Sequence, residues 1–170
     1  YTYSSLGLVL GRLERHEGAL VRAEQAEMVS PMNWQHRAAL GISLKDLGRF
    51  EAAGRAESIA CAQSNNQNPC ALLAVILHKA GHRTAALDVA NKAAALTPSG
   101  IGAYSLAGYW AVAGNRSNAI RCLRDAVNLG WSAQIRSDPD FESLQGDPEF
   151  EAIALENDKL LHASAAASAP

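Results

Sequence analysis

Residues 40–60 read Leu40-Gly41-Ile42-Ser43-Leu44-Lys45-Asp46-Leu47-Gly48-Arg49-Phe50-Glu51-Ala52-Ala53-Gly54-Arg55-Ala56-Glu57-Ser58-Ile59-Ala60. Leu40 and Leu44, four apart, share one face of a helix. Gly41, beside the leucine, has no side chain and lets a second helix come close. Gly48 supplies a turn, because glycine takes positive φ at little cost. Ala53 and Ala60, seven apart, line one face of the helix that follows. The stretch therefore spells helix, turn, helix.

The same spelling recurs along the chain. Leu6, Ala19 and Ala26 repeat it, as do Leu73, Ala86 and Ala93, and again Leu106, Ala119 and Ala126. The starting leucines lie 34, 33 and 33 residues apart (6 to 40, 40 to 73, 73 to 106). Four residues after each comes Leu10, Leu44, Leu77 or Trp110, and one after it Gly7, Gly41, Ala74 or Ala107. Glycine marks the turn at Gly48, Gly81 and Gly114, whereas Glu14 holds that place in the first repeat. Pro31 and Pro98 close two of the units. First helices are expected over about 2–13, 34–46, 70–80 and 101–113, and second helices over about 16–29, 50–63, 83–96 and 116–129. One such hairpin cannot bury its apolar face alone, but stacked hairpins can.

The period ends near Trp131. Asp138-Pro139-Asp140-Phe141 and Asp147-Pro148-Glu149-Phe150 follow. Asp-Pro is a helix-start pair, in which Asp caps and Pro takes the first helical position. Two short helices are expected there, the second reaching about 163. Phe141, Leu144, Phe150, Ile153 and Leu155 are expected to cover the open end of the last repeat. The expected organisation is four repeats over 1–131 (1–33, 34–66, 67–99, 100–131), a helical cap over 132–163, and a disordered tail over 164–170.

Composition narrows the function. Of 170 residues, 48% are hydrophobic and the formal charge is −2, which gives no bulk attraction to nucleic acid or anionic membrane. No apolar run approaches the ~20 residues a spanning helix needs. Cys61, Cys70 and Cys122 form no CxxC motif; an odd, unpatterned count suits a reducing compartment and hence the cytoplasm. Cys61 and Cys70 flank a polar loop and can pair, but the plainer reading makes all three small buried hydrophobes. The chain opens at Tyr1 without Met, inside an expected helix, so it is expected to be a piece of something longer.

No phosphate-binding glycine motif, nucleophile elbow or metal-ligand cluster is present in the sequence. His78 and His82 are four apart, but Gly81 puts a turn between them, so no metal pair is expected. Asn115-Arg116-Ser117 is a glycosylation-type sequon that reads better as a helix cap. No enzyme activity, cofactor or metal is expected.

The columns Leu6-Gly7, Leu10, Ala19, Ala26, Pro31 and Leu40-Gly41, Leu44, Gly48-Arg49-Phe50, Ala53, Ala60 resemble the tetratricopeptide repeat consensus over residues 1 to about 131. The Asp-Pro-x-Phe passages are similar to the ending of many bacterial arrays of that family. The chain departs at His16, Arg83 and Arg116, where the family usually has an aromatic, and at Glu57, where it prefers a large apolar residue. The resemblance implies an all-α, right-handed α–α superhelix of four hairpins with a cap. It implies a protein-binding groove lined by the first helices, here with an apolar centre of Leu8, Ile42, Val75 and Tyr104 and a basic edge of Arg12, Lys45, His78 and Lys79. The cations with which one subgroup grips chaperone tails are absent from the corresponding positions. An apolar strip with a basic edge suits an amphipathic helix or extended segment carrying acidic residues. Two readings stay open: a scaffold for a separate protein, or a structural, regulatory or self-associating arm whose groove is filled by another part of the parent chain or by a second copy.

Overall fold

The computed structural model describes the backbone of residues 2–30 and 32–167, and the side chains of 15–30 and 32–162. All described elements are helical. The chain divides into two compact units, 1–65 and 66–170.

The first unit holds α1 (Thr2–Val29), α2 (Trp34–Asp46) and α3 (Phe50–Ser64). α2 and α3 form the hairpin expected from residues 40–60, with Gly48 at φ 72° in the turn. Ala53 and Ala60 are fully buried, as the spacing required. α1 is a correction. The expected hairpin of 2–13 and 16–29 is one unbroken helix of 28 residues. The physical reason is at residue 14. The other hairpins turn through Gly48, Gly81 and Gly114, all at positive φ. Glu14 takes that conformation only at a cost, and an ordinary helical residue continues the helix instead. α1 and α2 run antiparallel, tied by Arg37–Glu27 at 3.0 Å and His16–Asp46 at 3.8 Å. Asn65, left-handed at φ 48°, ends α3.

The second unit holds α4 (Gln67–Lys79), α5 (Arg83–Ala94), α6 (Gly100–Val112) and α7 (Arg116–Asn128) as two hairpins, with α4 beside α6. α4 starts three residues before the expected 70, because Pro69 fits the first turn, where its missing N–H costs nothing. Ser99 and Asn115 cap α6 and α7 through their side chains, so the sequon asparagine serves as a cap. Ala86, Ala93, Ala119 and Ala126 are fully buried.

Two 3-10 turns, Ile135–Ser137 and Pro139–Leu144, and then α8 (Pro148–Ala167) complete the unit. Asp138 accepts from the Asp140 amide, and Asp147 from those of Glu149 and Phe150. α8 packs on α7. Phe141, Phe150, Ile135 and Ile153 are fully buried, whereas Leu155, expected in this cover, points to solvent because its neighbour Ala154 takes the inward position. Asn157, also buried, accepts from the Ala133 amide and donates to the Ala133 carbonyl, which fixes the link from α7. Cys122 is buried and free. Cys61 and Cys70 are half-cystines, which corrects their reading as plain buried hydrophobes and removes the ground for expecting a reducing compartment. No described helix is long and apolar enough to cross a membrane.

Candidate partner-binding face

The expected groove residues have different fates. In the first unit, the side chains of Leu8 and Arg12 lie outside the described residues. Ile42 on α2 is exposed, at 39%, as a groove residue should be. Lys45, one turn on, is half-buried and lies 3.5 Å from Asp46. Behind them sits Glu57 of α3, fully buried and with neither carboxylate oxygen hydrogen-bonded. Burial pushes its pKa up to about 9, against the opposing pull of Lys45. It fits because α2 has Gly41 there: a Cβ at that position would stand 2.4 Å from Glu57 Oε2.

In the second unit the expected face is not open. Val75, expected in the groove centre, is 1% exposed and belongs to the core. His78 is half-buried and meets Tyr109 edge-on at 6.1 Å. Its pKa is lowered by burial first and then by the Arg83 and Lys79 charges, opposed by a backbone bond with Val112. Lys79, expected as part of a basic edge, is ion-paired with Asp140. Tyr104 donates its hydroxyl to Asp138 Oδ2 at 2.5 Å and packs its ring on Phe141 at 5.3 Å. Burial, then Asp138, pushes its pKa well up. The occupant of this face is the chain's own segment 138–143.

That segment lies across α6 at Gly108, where an added Cβ would touch Asp140 at 3.5 Å. Ser143 donates to the Ala111 carbonyl at 3.2 Å. Asp138 and Asp140 are thus ligands of the inner face, although the sequence placed them only at a helix start. The signal that could have revealed this is Gly108 itself. The same column carries Leu8, Ile42 and Val75, and a missing side chain there leaves room for a covering segment. Among the described residues, no group of three or more His, Cys, Asp or Glu is arranged to hold a metal.

Neither a family model nor a curated protein matches the chain. Among solved structures, the crystal structure of MamA superposes with a TM-score of 0.51, covering 88% of this chain and 91% of that one at 17% identity. The likeness is one of fold: an all-α array built from successive packed helix pairs.

Proposed function

We propose that the chain is a non-catalytic scaffold whose first-helix faces hold acidic, amphipathic segments of other proteins. The observation that carries this reading is the seat of residues 138–143. A short 3-10 stretch with two carboxylates and an aromatic ring is held there by a lysine, a tyrosine hydroxyl and a ring contact. Such chemistry is a tethered instance of a helical array holding a short acidic segment on its first-helix face. In the second unit that seat is filled, so the site for a partner lies on α2, around Ile42 and Lys45. Ile42 supplies the apolar anchor and Lys45 a weak electrostatic bias, since exposed ion pairs are worth only about 0–1 kcal/mol.

The test is a panel of acidic amphipathic peptides, a peptide of residues 138–144 among them, titrated into the full chain. Binding should be lost in Ile42→Asp and reduced mildly, in a salt-dependent way, in Lys45→Ala. Equal binding to wild type and Ile42→Asp would place the partner elsewhere. The second reading, a self-associating arm of a larger protein, is favoured by the outer side of α1.

A further inference from the structure

α1 shows two sides of opposite character. Leu20 and Ala23 are buried on the side toward α2. On the other side Val21 is 52% exposed, and Met28 and Val29 are each 82% exposed. Met32, just past the helix end, is equally bare. Large apolar side chains gathered on one bare helix face mark an interaction surface.

The residues around this strip say what covers it. Val21 and Met28 are seven apart, and between their rows lie Gly18 and Gln25, also seven apart. Together they form a seam of the coiled-coil kind, with alternating spacings of three and four. The two edges of the seam carry opposite charge. Glu17 and Glu24 border one edge, Arg15 and Arg22 the other, and all four are exposed. Arg22 lies over Gly18, donating from Nε to its carbonyl at 3.2 Å. In a parallel pair of helices the residue just before one seam position faces a residue five further along in the mate. Glu17 of one helix then meets Arg22 of another. An antiparallel pair would instead bring glutamates to glutamates. Gln25, polar within the seam, finds its partner in its own counterpart and fixes the register.

We propose that the outer side of α1 is a self-association surface, on which a second copy of the chain docks its own α1 in parallel. Charge selects the occupant: the strip has one acidic and one basic edge, so it complements itself in that orientation and no other. This inference is independent of the partner site on α2, since it needs nothing but the chain itself.

Sedimentation equilibrium of the full chain over a wide concentration range tests it. Wild type should show a reversible dimer, and Met28→Asp a monomer. Glu17→Arg and Arg22→Glu should each weaken dimerisation about tenfold, because each sets like charges across the seam twice. The double variant Glu17→Arg/Arg22→Glu should restore it. In Met28→Cys, mild oxidation should give a covalent dimer that wild type does not form, because parallel helices bring residue 28 of both copies to one level. A wild-type chain that stays monomeric throughout overturns the proposal. So does a double variant no better than the single ones, or a Met28→Cys chain that fails to cross-link.

Discussion

Glu57 gives the folded chain a pH dependence of its own. Its carboxyl titrates at about 9 in the folded chain and near the ordinary 4.5 when unfolded. The folded state therefore holds the proton more tightly. Stability from this group is complete below the unfolded value, falls as pH rises through the window between the two values, and levels off above 9. The slope in that window is on the order of 1 kcal/mol per pH unit. Glu57→Gln keeps the shape and removes the titration. Chemical denaturation from pH 5 to 9 should show wild type losing stability relative to Glu57→Gln as pH rises, and parallel profiles would mean that Glu57 reaches water. The same residue shows what a sequence conveys. Its misfit to an apolar column was visible, but its accommodation depends on the bare backbone of Gly41 lying opposite, which only the packed hairpin reveals.

At the scale of elements, the hairpins were legible because their turns rest on local chemistry. Gly48, Gly81 and Gly114 each hold a positive φ that other residues resist. The spacing foretold the buried alanines Ala53, Ala60, Ala86, Ala93, Ala119 and Ala126, whereas Ala19 and Ala26 of the unbroken α1 are only half-buried. Ala86 and Ala119 have no exposed surface, so Ala86→Leu or Ala119→Leu should overpack the helix contact and cost about 1–3 kcal/mol in thermal or chemical melts. Phe150→Ala, at a wholly buried residue of α8, should cost more, about 3–5 kcal/mol. An unchanged melt for the alanine variants would mean a shifted packing register. One element, α1, departs from the expected pattern. At residue 14 a glutamate stands in place of the turn glycine, while the columns around it still spell a hairpin. The Asp-Pro pairs start helices at Pro139 and Pro148, as their local chemistry requires. Their seat on α6 was not legible, because it depends on contacts between Lys79 and Asp140, and between Tyr104 and Asp138, far apart in sequence.

For the molecule as a whole, the Lys79–Asp140 pair bears on how the second unit comes apart. In a linear array each hairpin touches only its neighbours, so it can fray from one end. Here α4 is linked past α6 to a segment 61 residues further on. Opening the last hairpin therefore strands a charge on the first one. Residues 66–162 should unfold as a single cooperative block, their slowest-exchanging amides in α4 and α6 sharing one opening free energy. Lys79→Met should cut the link and let α6, α7 and the cap open before α4, splitting the amides into two classes and lowering the denaturant dependence of the main transition. Protection that stays uniform in the variant would mean that apolar burial alone binds the block together. A chain that looks modular by its period would then behave, past Asn65, as one indivisible folding unit.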